Sequence, residues 1–418
     1  MKEGFLIGAG LLATGEMLQL SAGPVVWELL AFPVNLILLA LYVVLLGAVY
    51  ALNGKVYAFR FIASPRAAVP ALVYAVLLTA VMGLVRQTAA PHPADPVGLT
   101  RMLSYWPFVL IYVWLSFIVG LVALRQLVHF RWQRLPSLLS HAGLFVIIVA
   151  GTLGSADMQR LKMYCQKGQP EWRGVDDGGL MHELPIAIQL REFTMDEYAP
   201  KLTLVDGRTL QPLMRQGRPL VVAADSAGRQ GTLGRWRLRV LRRLDMAAPK
   251  VIGDSMTYIS WPARGATSAV QVEARLITGG AGLHHVEPAT VRRGWVTCGS
   301  FAIPPEMLKL DNVYSLAMPR REPRRFASRV QVLTKAGENV ETTIEVNKPA
   351  DVGGWKIYQY SYDEERGRWS EVSVLELVTD PWLPFVYAGI SLLALGSVLL
   401  FLTAGRRRVA KGVVSPSV

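Results

Sequence analysis

Six long apolar runs constrain the fold of this chain more than any other feature of its sequence. They span residues 4–20, 34–52, 68–85, 106–124, 137–158 and 382–402. A helix rises about 1.5 Å per residue, so roughly 20 apolar residues cross a hydrocarbon core. The runs therefore predict membrane helices, five before a long polar region and one after it. Glu16 interrupts the first run. No signal-peptide cleavage site follows this run, so it is predicted to be a membrane helix and not a signal peptide.

Residues 156–380 have a different pattern, made of short runs in which apolar and polar residues alternate. Examples are IAIQL, KLTLV, AVQVEARLI and WKIYQYSY, separated by turn signals such as DGR and KAGE. Alternation with period two indicates strands that bury one face. The sequence predicts a membrane α-helical bundle plus an all-β, antiparallel, sandwich-like domain. The predicted organisation is helices in 1–155, the β domain in 156–380, a last helix in 381–403 and a basic tail in 404–418.

Positive charge predicts which side of the membrane each segment occupies. The chain carries 44 Lys and Arg against 31 Asp and Glu, a formal charge of +13. Much of the excess flanks the apolar runs, in residues 55–66, 125–134 and 406–411, whereas the loop at 87–100 is rich in proline and poor in Lys and Arg. Short basic loops stay in the cytoplasm. The pattern favours a multi-pass protein of the inner (cytoplasmic) membrane with an extracytoplasmic, periplasmic β domain, and it disfavours nucleic-acid binding.

His141 is the main candidate for a functional residue because it lies near the start of the fifth apolar run. An ionisable ring at membrane depth is costly and marks a functional site by default. One interpretation is a structural histidine that hydrogen-bonds a neighbouring helix. The other is an axial ligand to haem iron, since neutral imidazole is a standard ligand. The residues around His141 leave both interpretations open.

Other titratable residues are weaker candidates. His129 is a second possible ligand, but Arg125, Phe130 and Arg131 around it are typical of an interfacial anchor. Cys165 and Cys298 cannot form a zinc cluster or a CxxCH motif, and a disulfide between them is an open alternative. A further cluster could bind acidic partners or haem propionates, or form a solvated loop: Arg320, Arg321, Arg324, Arg325 and Arg329. Four more histidines are interpreted as solvated: His92, His182, His284 and His285.

Two passages resemble the ResB family, also called CcsB, of system II cytochrome c biogenesis proteins. The first, HAGLFVIIVAGTLGS at 141–155, is similar to the family's histidine-led helix that ends in small residues. The second, NKPADVGGWKIYQYSYD at 347–363, is similar to an element that stands just before the family's last membrane helix. EWRGVDDG, LDMAAP and EPRRFAS also look like the family. The five predicted helices before the β domain depart from the three that are usual in it.

The resemblance implies a subunit of a membrane cytochrome c haem lyase that is not catalytic alone. Its partner would be a CcsA or ResC type membrane protein with a tryptophan-rich motif, and the two would move haem across the membrane and attach it to CxxCH cysteines of apocytochrome c. The family's membrane histidine matches His141, as axial ligand to the iron of haem b. Arg125, Arg131 and Arg134 could then bind the propionates at the inner rim. Disulfide exchange with a thioredoxin-like reductant is left open.

Two other functions compete with a haem lyase subunit. One is a structural scaffold that stabilises its partner and never touches iron. The other is a b-type subunit that oxidises quinol, which would usually need two facing histidine pairs across the bundle. Only His129 and His141 lie near the membrane in this sequence. No HExxH, GxSxG or phosphate-binding glycine motif indicates a hydrolase or a kinase.

Overall fold

The computed structural model describes residues 1–88, 95, 97–277 and 290–412, with side chains as far as residue 403. The chain divides into two compact units. The helical unit contains residues 1–161, 175–180 and 378–418, and the β unit contains residues 162–174 and 181–377. His92, His284 and His285 lie outside the described residues, as do the side chains of Arg406, Arg407, Arg408 and Lys411.

The predicted apolar runs are helices. The α-helices are α1 (Lys2–Ala22), α2 (Val34–Leu52), α3 (Tyr57–Ile62), α4 (Pro65–Leu84), α5 (Trp106–Val128), α6 (Leu135–Gly154) and α7 (Leu383–Gly412). Within the described residues, six helices are long and apolar enough to cross a membrane, and α3 is a short addition among them. Many large apolar side chains on α2 and α7 point outward, as a surface that meets lipid requires.

The first helix forms despite Glu16. The Tyr105 hydroxyl donates a hydrogen bond of 2.6 Å to the Glu16 carboxylate, and the Trp106 amide donates to the Gln19 side chain at 3.3 Å. A polar group in an apolar helix is tolerated when a partner satisfies it. Glu16 and Gln19 therefore attach α1 to the start of α5.

Small residues allow the helices to approach closely. Ala67, Ala71 and Ala75 form a buried stripe on α4 that packs with Ile111 and Ile118 of α5. The spacing of four residues places the alanines on one face of the helix. In lipid, where there is no hydrophobic force between helices, such close packing is a main source of association.

The β unit contains the strands that the alternating pattern predicted, together with several short ones. The strands are β1 (Gln159–Gln166), β2 (Pro170–Val175), β3 (Met181–Glu197), β4 (Lys201–Asp206), β5 (Met214–Arg215), β6 (Arg218–Pro219), β7 (Val221–Ala223), β8 (Gln230–Leu233), β9 (Trp236–Ile252), β10 (Ser255–Ser260), β11 (Thr267–Leu276), β12 (Val291–Thr297), β13 (Leu308–Lys309), β14 (Tyr314–Ala317), β15 (Pro323–Thr334), β16 (Asn339–Glu345), β17 (Ala350–Val352), β18 (Trp355–Tyr362) and β19 (Val372–Thr379).

Two of the sheets share one core. A five-stranded sheet has the order β10-β9-β11-β12 with β8 on β9, and a four-stranded sheet has the order β13-β14-β4-β7. Leu238, Val272 and Val296 from the first sheet are buried with Leu204 and Leu316 from the second. The predicted sandwich-like, antiparallel arrangement is confirmed in this part of the unit.

The third large sheet is curled. It has eight strands in the order β16-β15-β3-β2-β1-β19-β18-β17. Only residues 346–349 separate its two edge strands in the chain, and Glu345 forms a bridge with Lys348. Because so short a connection joins the two edges, the sheet must roll until they are adjacent. Alternate residues of β3 and β15, such as Ile188 and Val332, are fully buried on its inner face.

Candidate functional site

His141 lies near the start of α6, and its ring orientation is set by the preceding turn. The Nδ1 atom is 2.7 Å from the carbonyl oxygen of Ser137 and 3.4 Å from the Ser137 hydroxyl. A carbonyl oxygen only accepts hydrogen bonds, so the 2.7 Å contact assigns the proton to Nδ1 and makes Nε2 the free acceptor. Within the described residues, Nε2 has no hydrogen-bond partner, and the side chain is half-buried.

The neighbouring helix supports this turn. The Gln126 side chain on α5 donates a hydrogen bond of 3.1 Å to the Ser137 hydroxyl. One turn further along α6 than His141, Phe145 lies against Gly120 of α5 and stacks on Tyr42 of α2, with ring centroids 6.2 Å apart. His141 lies between these two contacts on the face of α6 that includes Ser137 and Phe145. The ring is therefore held beside α5.

The basic residues predicted for the same site are at the helix ends. Arg125 is in the last turn of α5, and Arg131 and Arg134 lie in the short connection to α6. All three are exposed, and none makes an ion pair within the described part of the chain. His141 is about 9 Å along the helix axis from the first residue of α6, by the rise of 1.5 Å per residue. The arginines therefore form a cationic rim at the end of the bundle nearest to His141.

His129 is not part of this arrangement. It is the residue that ends α5, it is exposed, and its ring has no hydrogen bond within the described residues. The contact between α5 and α6 at this level is made by Gln126 and Ser137. Two histidines that bind one iron do not hydrogen-bond to each other, so His129 stays a second, weaker candidate ligand beside His141.

An apolar cavity of about 750 Å³ lies at the other end of α6. Its lining comes from α2, α6, α7 and the residues that follow α6: Ala31, Phe32, Leu36, Leu39, Phe145, Val146, Val149, Ala150, Ala156, Asp157, Gln159, Pro381, Trp382 and Phe385. Phe145 lines this cavity and shares a helix face with His141. The size is within the range of ligand pockets.

Asp157 closes the cavity at its polar end. Its carboxylate accepts hydrogen bonds of 2.7 Å each from the Phe32 amide, the Asn35 side chain and the Trp382 indole. Burial alone would raise the pKa of Asp157, but the three hydrogen bonds outweigh it and hold the pKa below its ordinary value. The carboxylate is thus ionised at neutral pH, and it joins the segments before α2, after α6 and before α7. No motif in the sequence indicated this cluster.

The hydrogen bond of His141 meets one requirement of a metal-binding imidazole. A ligating imidazole commonly donates its second N–H to a carbonyl, which fixes the tautomer and orients the other nitrogen. The contact from His141 to Ser137 does this. No group of three or more metal-ligating side chains converges in the part of the chain that the structure describes.

The two cysteines are not joined in this structure. Cys165 is fully buried in β1 of the curled sheet, and Cys298 follows β12 of the five-stranded sheet, half-buried beside Thr267. Burial raises the pKa of the Cys165 thiol to about 12, with a smaller contribution from Glu171. Both thiols are free, one in the eight-stranded sheet and the other just after a strand of the five-stranded sheet.

The arginine cluster at 320–329 is largely engaged within the β unit. Arg321 is buried, donates to the Tyr198 carbonyl at 2.8 Å and lies 3.4 Å from the Glu197 carboxylate. Arg325 pairs with Glu345, and Arg329 lies 3.1 Å from Glu192. Arg324, Arg325 and Arg329 belong to β15, so the interpretation of this segment as a solvated loop is wrong. His182 is likewise exposed on β3 and not in a loop.

The passage at 347–363 builds the curled sheet. Gly353 and Gly354 have φ of 59° and 79°, and Val352 pairs with Trp355 across them. Positive φ at both central residues is the type I′ turn of a two-residue hairpin, which glycine makes at little cost. After the turn, Trp355 and Gln359 point inward, and Gln359 donates to the Ser373 hydroxyl at 2.9 Å. These residues have structural roles.

The comparisons with known proteins agree with the resemblance. A model of the ResB-like family matches residues 272–370, about a quarter of the chain, from within β11 to beyond β18. No curated protein matches the chain. The matched segment contains the passage at 347–363, so the predicted resemblance to the ResB family is confirmed there. At the family level, the match supports involvement in cytochrome c biogenesis.

Proposed function

We propose that this protein is a membrane subunit of a system II cytochrome c haem lyase. In this proposal it holds haem b within the membrane through His141 and acts with a CcsA or ResC type partner that attaches the haem to CxxCH motifs of apocytochrome c. The observation that carries the proposal is the free Nε2 of His141, whose Nδ1 is bound to the Ser137 carbonyl. The match to the ResB-like family supports the pathway.

The surroundings of His141 suit an apolar ring with anionic substituents. His141 lies on α6 beside α5, and both helices consist largely of apolar residues, an environment that suits a porphyrin. Arg125, Arg131 and Arg134 at the nearest helix ends are exposed and free to pair with propionates. Haem is therefore proposed to bind with its propionates toward the arginine rim.

The proposed topology follows the same charges. Positively charged loops remain in the cytoplasm, so the connection that contains Arg131 and Arg134 would face inward. The β unit and Asp157 would then be extracytoplasmic, in an inner membrane. In this topology the His141 ring would lie toward the cytoplasmic side, and apocytochrome c would be met on the opposite side. Cys298 would be the thiol available to a thioredoxin-like reductant, since Cys165 is fully buried.

The visible spectrum of the purified complex with its partner tests the proposal. The His141→Ala variant is expected to lose most of the haem absorption, and added imidazole is expected to restore it by filling the space left by the ring. His129→Ala is the matched control, because it removes an exposed histidine from the adjacent helix end. It should leave the spectrum unchanged.

Each rival predicts a different spectrum. If His141→Ala retains the full haem signal, the histidine is not a ligand and the protein is a scaffold for its partner. If quinol reduces the bound haem directly and both histidine variants abolish that reduction, the protein is a redox subunit. In either case the haem lyase role of His141 is rejected.

A further inference from the structure

The outer face of the five-stranded sheet concentrates positive charge. In β9 the residues Leu238 and Val240 point into the core, so Arg237 and Arg239 lie on the opposite face. A bulge in the ladder between β9 and β11 keeps Arg242 on that face, 5.9 Å above the Trp295 ring. With Arg275 of β11 and Arg293 of β12, these five residues form what is called here the arginine face.

One acid lies within the arginine face. Across the paired residues 236–244, 269–276 and 291–297, Glu273 is the single acidic residue. Its side chain is 4% exposed and contacts Arg275 at 2.7 Å and Arg293 at 2.5 Å. Hydrogen bonds from Arg293 and then Arg275 hold the pKa of Glu273 below its ordinary value. The arginine face thus already binds one carboxylate between two guanidinium groups.

Two arginines of this face have no acidic partner within the described residues. Arg237 lies directly opposite Arg275 in the ladder, and Arg239 lies opposite Glu273, whose oxygens are occupied by the other two arginines. Arg237 and Arg239 are exposed and make no ion pair within the described residues. Like charges directly opposite each other destabilise a sheet. The stability of the fold therefore does not explain why Arg237 lies opposite Arg275.

We propose that the arginine face is a docking surface for an extended, acidic segment of a partner protein. Residues two apart on a strand repeat at about 7 Å. An extended chain with acids at alternate positions has the same repeat, so its carboxylates would meet Arg237 and Arg239 in succession. All five cations are arginines, whose planar forks bind carboxylates in pairs of hydrogen bonds. Glu273 shows the geometry of such a contact within the same surface.

Binding of a defined peptide to the full chain tests this surface. The probe is a fluorescein-labelled peptide of alternating glutamate and serine, and the protein is held in nanodiscs of zwitterionic lipid. Exposed ion pairs are each weak, so Arg237→Gln with Arg239→Gln is expected to lower the affinity about fivefold. The control, Arg215→Gln with Arg218→Gln, removes the same charge from the exposed hairpin of β5 and β6 and should change the affinity by less than about twofold.

The possible results of this experiment each support or overturn the proposed docking surface. Equal losses in the two double variants would show attraction by net charge alone and would overturn the proposal, as would no loss in either. Vesicles containing phosphatidylglycerol form a second arm. If they bind the native chain and lose binding in the Arg237 and Arg239 variant while the peptide is unaffected, the partner is lipid and the proposal is wrong. Should the double variant fail to fold, Arg242→Gln tests the same face.

Discussion

The crossing of α6 and α7 gives the sharpest test of the helix packing. A Cβ atom added to Gly143 would lie 2.5 Å from the Leu393 amide nitrogen and 2.6 Å from the Gly389 carbonyl oxygen. Both are backbone atoms of α7 and cannot rotate away. In the Gly143→Ala variant the two helices must therefore move apart. On α6 the chain also offers a matched control, because a Cβ at Gly151 would meet nothing within 4 Å.

The two substitutions should change stability in opposite directions. Overpacking at Gly143 costs about 1–3 kcal/mol. Replacing Gly151 adds the better helix propensity of alanine, up to about 1 kcal/mol measured in water. A difference of about 2 kcal/mol between the two variants is expected. For a unit of roughly 200 residues this corresponds to about 4–8 °C in Tm.

Thermal unfolding of the full chain in nanodiscs, followed by tryptophan fluorescence, measures this difference. Gly396→Ala provides a second test at the same crossing, since its Cβ would lie 2.5 Å from the Ser140 amide nitrogen. Both crossing variants should unfold below the native protein, and Gly151→Ala should not. If Gly143→Ala and Gly151→Ala unfold at the same temperature, α6 and α7 do not approach as closely as the packing requires.

Two further predictions concern the carboxylate beside the cavity and the buried thiol. Asp157→Ala leaves the Phe32, Asn35 and Trp382 donors without their acceptor and should cost about 2–4 kcal/mol at neutral pH. The folded pKa of Asp157 is depressed, so its stabilisation is present above about pH 4 and is lost as the pH falls through the folded pKa. The difference in Tm between the native protein and the variant should therefore shrink on acidification. A difference that stays constant would contradict the hydrogen-bonded carboxylate. Maleimide should leave Cys165 unmodified in the folded protein, since its thiol is buried with a pKa raised to about 12. A native protein that incorporates label at Cys165, measured by mass spectrometry, would refute that burial.

The helices and most strands could be predicted because their signals are local. An apolar run of about 20 residues has few stable alternatives to a helix, and alternation places one face of a strand in a core. The errors are also local in origin. The apolar and β-branched run GWVTCGSFAI, at 294–303, predicts a single strand, but β12 ends at Thr297. Gly299, with φ of 71°, turns the chain away there.

Contacts between distant residues could not be predicted from these signals. Glu16 looked like an interruption of the first helix, and only its hydrogen bond to Tyr105, far along the chain, explains why it is tolerated. Asp157 gave no signal except its position just beyond a predicted span. The Asn35 and Trp382 side chains that bind it belong to other helices or to the segments beside them. Such clusters depend on tertiary packing, which a periodic pattern does not encode.

The residues that carry the family resemblance have structural roles, whereas the residue that carries the proposed function would have a binding role. In the passage at 347–363, Gly353 and Gly354 make a turn and Trp355 fills a core, so a match there identifies a fold. His141 is half-buried and its hydrogen bond to Ser137 is local. A histidine at membrane depth whose free nitrogen no protein group satisfies, within the described residues, is costly to retain. A ligand to that nitrogen offsets the cost, so the spectrum of His141→Ala, more than any further likeness in the β unit, decides whether this chain binds haem.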